Sequence, residues 1–260
     1  MKAAWRWLVL VVIAGLLLQL FFVARIAAML VIDPQSTAFE RSEAWRVTTE
    51  KGDLHWRQQW TPYDKISDKL KRAVIASEDD GFVNHDGVDW NALEKAWQKN
   101  ARAEDQLAKA QARDATKATR NPPKPAAKPA VPAPAKPARA PKVVGGSTIT
   151  QQLAKNLFLS GERTLLRKGQ EFVLTLLLEA LLDKQRILEI YLNSVEWGEG
   201  VFGAEAAAQH YYRKPAAQLS TYEAARLAVM LPRPKYFEKL PNSSYVAGRA
   251  ETIARRLESA

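Results

Sequence analysis

Three short stretches of the chain hold side chains able to do chemistry. In Glu78-Asp79-Asp80-Gly81-Phe82-Val83-Asn84-His85-Asp86-Gly87 an apolar helical pattern runs into three acids and then a turn. A carboxylate leaving the end of an apolar helix is partly desolvated, which raises its pKa and suits it to general acid or base work. The same residues also describe a solvated helix end whose acids oppose the helix dipole. In Gly145-Gly146-Ser147-Thr148-Ile149-Thr150-Gln151-Gln152-Leu153-Ala154-Lys155-Asn156, two glycines free the backbone to approach a ligand ahead of a helix N-terminus. Ser147, Gln151 and Lys155 recur every four residues along one face, and a hydroxyl, an amide and an ammonium in line suit phosphate and sugar oxygens. That row is equally the polar face of an amphipathic helix, with Ile149, Leu153 and Leu157 as its apolar stripe. Third, Arg163 and Arg167-Lys168-Gly169-Gln170-Glu171 feed the apolar run Phe172–Leu182. Glu171 beside three cations suits anionic phosphates and a second carboxylate. Glu179, inside the apolar run, reads as a buried paired acid or as the one wet face of its helix.

These residues need elements to hold them, and the patterns are mostly helical. Ser67–Asp79, Thr148–Leu159 capped by Ser147, Arg163–Leu182, Lys184–Asn193, Ala204–Tyr212, Ser220–Met230 and Ser244–Leu257 read as helices, and Asp89 reads as the N-cap of another. Ala44–Thr49 and Leu54–Trp60, around Lys51-Gly52-Asp53, read as a short β-hairpin. Short loops predict one compact helical domain. Ahead of it, Leu8 to Ala24 is uncharged, and the apolar run resumes after Arg25 to Ile32. This is enough to cross a hydrocarbon core of roughly 30 Å. Lys2 and Arg6 before the span keep residues 1–7 cytoplasmic, with 8–32 as an uncleaved anchor and 33–260 exported.

Net charge is +10, which alone suggests nucleic acid or an anionic surface as partner. Its distribution removes nucleic acid. Residues 101–142, rich in Ala, Lys and Pro, hold ten Lys/Arg against three acids, and residues 1–32 hold three cations. The remainder is balanced. Up to Thr119 the insert suits a polar helix, and from Asn121 to Pro141 proline favours an extended linker or a basic arm against anionic lipid. The chain has no Cys, which excludes disulfides, thiolate metal sites and Cys nucleophiles, and its three His are scattered.

Taken in order, the motifs are far more specific than any one alone. Glu78-Asp79-x-x-Phe82-x-x-His85-x-Gly87, the Gly145–Asn156 run and Arg167-Lys168-x-x-Glu171 come first. Lys184-x-x-Ile187-Leu188-x-x-Tyr191-Leu192-Asn193 and Gly203-Ala204-x-x-Ala207-Ala208-x-x-Tyr211-Tyr212-x-Lys214 follow. This resembles the five motifs of the family 51 peptidoglycan glycosyltransferases, in the monofunctional, membrane-anchored form. The resemblance implies a mainly α, lysozyme-like, two-lobed fold behind a transmembrane helix. It implies polymerisation of glycan strands from lipid II, with inversion and release of undecaprenyl pyrophosphate. On it, Glu78 is the general base. Lys155 and Arg163 bind the donor pyrophosphate, with Ser147 and Gln151 beside them. Glu171 supports the departing group, with Arg167 and Lys168 nearby, and Asn156, Tyr191 and Asn193 are expected to touch substrate. It leaves room for a divalent metal, Mg or Mn, reached through the pyrophosphate, and for no organic cofactor. Partners implied are lipid II, the nascent strand and membrane lipids of the inner membrane, with division or elongation machinery left open. A lysozyme-like hydrolase or lytic transglycosylase would share the fold without needing the cation clusters. A membrane-anchored wall scaffold would have little reason to place carboxylates at the mouths of apolar helices.

Overall fold

The apolar N-terminal run forms one long helix, α1 (Lys2–Ala28), in a computed structural model that describes residues 2–53, 55–120, 146–159 and 164–259. It is apolar and exposed around most of its circumference, and among the described residues it is the one helix long and apolar enough to cross a membrane. Its C-terminal end is different. Gln19, Phe22, Val23 and Ile26 share one face at helical spacing and are shielded, Ile26 completely.

The next segment departs from the hairpin reading. Ala38–Lys51 is a helix, α2. Thr37 caps it: its hydroxyl accepts the Glu40 N–H at 3.0 Å, and the Glu40 carboxylate accepts the Thr37 N–H at 2.7 Å. The Val47-Thr48-Thr49 run that suggested a strand is absorbed because both hydroxyls bond back to the Ala44 and Trp45 carbonyls at 2.8 Å. Gly52 then ends the helix at φ 71°, where a side chain would be strained. A strand, β1 (Arg57–Gln58), does follow, but its partner is distant. It pairs parallel with β3 (Val201–Phe202), which pairs antiparallel with β2 (Glu196–Gly198), so the hairpin lies at β2–β3.

The remaining helices are α3 (Asp68–Glu78), α4 (Trp90–Arg120), α5 (Ile149–Phe158), α6 (Leu165–Leu181), α7 (Lys184–Ser194), α8 (Ala204–Tyr212), α9 (Thr221–Met230), α10 (Pro234–Glu238) and α11 (Ser244–Ser259). The chain divides into two compact units. One comprises Met1–Val88 with Ser147–Ala260. In it α3 packs on α9 and α11, and α5 packs on α2, α6 and α7. Leu70, Val74, Phe82, Ile149, Leu153, Tyr191 and Trp197 form its sealed core. Each such apolar side chain contributes roughly 1.5–3 kcal/mol.

The second unit, Asp89–Gly146, is described as α4 and Gly146. Asp89 caps α4 as expected, accepting the Ala92 N–H at 2.8 Å. Helix runs on to Arg120 through the first part of the insert; residues 121–145, with the proline-rich arm and Gly145, lie outside the described residues. Gly146 serves packing: a Cβ there would sit 3.2 Å from the Leu93 Cα.

Candidate active site

Helix α3 delivers Glu78 by its own amphipathicity. Leu70, Ala73 and Val74 bury one face, and the last turn carries the carboxylate to the wall of a cleft of about 640 Å³. One carboxylate oxygen is held by a relay. Tyr191 donates its hydroxyl to Gln152 Oε1 at 3.0 Å, and Gln152 Nε2 donates to Glu78 Oε2 at 3.0 Å. The other oxygen, Oε1, is buried and accepts no hydrogen bond. Burial raises the pKa of Glu78; the Gln152 bond pulls the other way, the neighbouring Asp79 adds to the rise, and Lys155 opposes it. A carboxylate held above its ordinary range, with one oxygen free of hydrogen bonds, has the properties a general base needs.

The other residues of the first motif brace the loop. Asp79 is buried, with Oδ1 2.9 Å from His85 Nε2 and Oδ2 accepting the Ile149 N–H at 3.0 Å, at the first turn of α5. His85 Nδ1 accepts the Gly87 N–H at 3.2 Å, which assigns the ring proton to Nε2, facing Asp79. Lys184 donates to the His85 carbonyl at 2.6 Å and pairs with Glu179 at 2.8 Å. Glu179 also accepts the Thr150 hydroxyl at 2.5 Å, so it is a buried, paired acid.

Helix α5 supplies the opposite chemistry. Its N-cap is Thr148, not Ser147: the Thr148 hydroxyl accepts the Gln151 N–H, the Gln151 side chain accepts the Thr148 N–H, both at 3.2 Å, and the same hydroxyl donates to the Gly87 carbonyl at 2.6 Å. Thr148 wins because only it can satisfy the first turn and tie the helix to the Glu78 loop. Ser147 is left exposed at the rim of the cleft, in line with Gln151 and Lys155. Lys155 is open to solvent within the cleft yet crowded by protein; desolvation lowers its pKa, with Glu171 opposing and Arg167 and Lys168 adding to the fall.

Helix α6, capped by Thr164, brings Arg167, Lys168 and Glu171 to the same cleft. Glu171 is only 4% exposed, and both its oxygens are engaged: Arg167 Nη1 donates to Oε2 at 3.1 Å and Lys168 Nζ to Oε1. Arg167 Nε, buried, donates to nothing. Arg163 lies outside the described residues. With Glu171 committed to two cations, and no group of three acids or histidines among the described residues, the site does not fit a protein-held divalent metal.

Two residues expected at the substrate sit elsewhere. Tyr191 is fully buried and reaches the site only through Gln152. Asn193, also buried, accepts the Thr61 N–H at 2.8 Å and donates to the Thr61 and Glu189 carbonyls at 2.9 Å, pinning the chain before α3 onto α7. Asn156 does line the cleft. So do Gln152 and Glu196, which the motif reading passed over. The sign of Gln152 was a polar side chain three residues after Ile149, on the flank of an apolar stripe, where burial demands a partner. Glu196 had a similar sign, one acid in the otherwise buried run Ile190–Trp197.

Comparisons with known proteins identify the family. The transglycosylase family model matches residues 46–109 and 131–258. The chain belongs to the transglycosylase family. A biosynthetic peptidoglycan transglycosylase of Burkholderia thailandensis is 51% identical over 98% of this chain and 87% of its own length. Its Burkholderia pseudomallei and Paraburkholderia phytofirmans counterparts are 49% and 46% identical over 98% of this chain, and over 87% and 93% of their own lengths.

Proposed function

We propose that this transglycosylase polymerises peptidoglycan glycan strands from lipid II, using Glu78 as base and the Lys155, Arg167 and Lys168 cluster as the pyrophosphate seat. The observation that carries the reading is a pair of buried, unpartnered atoms on one cleft: an acceptor, Glu78 Oε1, and a cationic donor, Arg167 Nε. Buried polar atoms are normally satisfied, and these two match an attacking hydroxyl and a departing phosphate.

In the reaction, Glu78 removes the proton of the acceptor sugar hydroxyl as its oxygen attacks the anomeric carbon of the lipid-linked donor. The bond from that carbon to the pyrophosphate oxygen breaks, and its electrons leave with undecaprenyl pyrophosphate. Attack opposite the leaving group converts an α-linked donor into a β-linked chain. Because pyrophosphate departs as an anion, cations take the place of the general acid a glycosidase uses. Glu171 orients Arg167 and Lys168 through its two oxygens, and Ser147 and Gln151 offer neutral donors along the same face.

The setting is the outer face of the inner membrane. Helix α1 spans the bilayer with residues 1–7 in the cytoplasm, and the body works in the periplasm on lipid-borne substrate. Leu165, Leu166, Val173 and Leu176 leave an apolar stripe exposed on α6, beside the anchor it packs against. The test is incubation of the purified chain with labelled lipid II in a bilayer or detergent. Glycan polymer should form and should vanish with Glu78→Gln. Cleavage of preformed glycan, or no turnover by the wild type, would overturn the reading.

A further inference from the structure

Among the described residues, four buried side-chain atoms have no hydrogen-bond partner: Glu78 Oε1, Arg167 Nε, Glu196 Oε1 and Trp197 Nε1. The first two belong to the base and the pyrophosphate seat. Glu196 also lines the cleft, on β2, and the reaction as derived gives it no task. Its side chain is only 8% exposed. Lys235 Nζ stands 3.2 Å from Oε1, an ion-pair distance, but outside hydrogen-bond geometry. That ammonium is shared with Glu43, which also holds Arg46.

The structural network explains why a carboxyl can be kept here; it does not explain why one lines the cleft. Lys235 and Glu43 already tie α10 to α2, and the Glu196 carboxylate adds only the tie from β2. A carboxylate lining a substrate cleft, with its inner oxygen still short of a directed donor, matches a sugar ring, whose edge is a row of polar hydrogens.

Resting on the functional reading above, we propose that Glu196 is a third recognition point of the cleft, accepting a hydrogen bond from one hydroxyl or acetamido N–H of the lipid II disaccharide and so selecting for that group. The three cleft side chains then divide the substrate between them: Glu78 takes the reacting hydroxyl, Arg167 the phosphate, and Glu196 a non-reacting polar hydrogen. Desolvation holds the Glu196 carboxyl at about 7, with Glu43 adding to the rise and Lys235 and Arg46 opposing it. That is the environment of a group that gains from a donor brought by a ligand.

The test compares lipid II with analogues that each lack one sugar hydroxyl or carry the acetamido N–H methylated, on the wild type and on Glu196→Ala and Glu196→Gln. For the wild type, one analogue should lose about tenfold or more in kcat/KM relative to lipid II, the scale of a hydrogen bond to a charged group. With Glu196→Ala that same loss should shrink to within about threefold, because the partner is already gone. The milder Glu196→Gln keeps the shape of the site and should show the reduced discrimination even if the alanine variant folds poorly. Equal discrimination in the wild type and Glu196→Gln would overturn the proposal and leave polymerisation intact. A wild type that cannot polymerise lipid II would overturn the functional reading itself.

Discussion

Glu78 shows how a catalytic requirement sets itself against folding. Burial keeps its carboxyl above the ordinary range, so the unfolded chain gives up that proton at lower pH than the folded one. Below the ordinary carboxylate pKa both states are protonated and the fold loses nothing. As pH rises through the folded-state value a penalty grows, and above it the penalty is fully present. Glu78→Gln should therefore abolish polymerisation and raise the thermal midpoint at pH about 8, with no gain near pH about 4, on the scale of about 2–4 °C per kcal/mol for a chain of this size. Calorimetry across that range checks it, and a midpoint unchanged or lowered at pH about 8 would refute it. The sequence already showed a carboxylate leaving an apolar helix. It did not show which oxygen stays unengaged, because Gln152 and Tyr191, whose relay settles this, lie far along the chain from Glu78.

The same contrast holds for elements. Helices with strong apolar periodicity, α3, α5 to α9 and α11, were legible within a few residues, because their stripes are the core itself. What was missed turned on local hydrogen bonds that periodicity does not weigh. In α2 the β-branched run is helical because Thr37 and Glu40 close a capping box and the threonines bond backward. At α5 two adjacent hydroxyls competed for one cap, and the choice depended on Gly87, which is brought there only by folding. This makes a paired prediction. Thr148→Ala should destabilise the chain by about 1–2 kcal/mol, the ordinary range for a lost cap. Ser147→Ala should stay within about 0.5 kcal/mol, as exposed substitutions do, yet lower kcat/KM for lipid II. Denaturant unfolding beside polymerisation rates separates the two, and a stability loss at Ser147 would reverse the assignment.

At the scale of the whole molecule, the charge arithmetic and the anchor meet. The excess cations are concentrated before and within the span and in the insert, so the body is near neutral and its working cations are few and local. Helix α1, in turn, packs on the body through its C-terminal turns. Gln19, the strongly polar side chain in the apolar run, exchanges amide hydrogen bonds with Gln170 at 2.9 and 3.3 Å, one residue before Glu171. Phe22 meets Phe158 edge to face at 5.4 Å, the Arg25 guanidinium lies 5.2 Å from the same ring, and Ile26 and Met29 are buried in the catalytic core. Arg186 of α7 fastens the chain just after α1, donating to the Met29 carbonyl at 2.8 Å and pairing with Asp33 at 2.7 Å. Ile26 and Met29 alone bury about 1.5–3 kcal/mol each. A chain truncated to begin at Asp33 should therefore melt about 10 °C or more below one beginning at Gln19, measured in the same detergent. It should also lose polymerising activity beyond what lost membrane attachment explains, because α5 and α6, which carry Lys155 and Glu171, lose the surface they rest on. Equal melting points would mean that the last turns of the span pack on the body without supporting it.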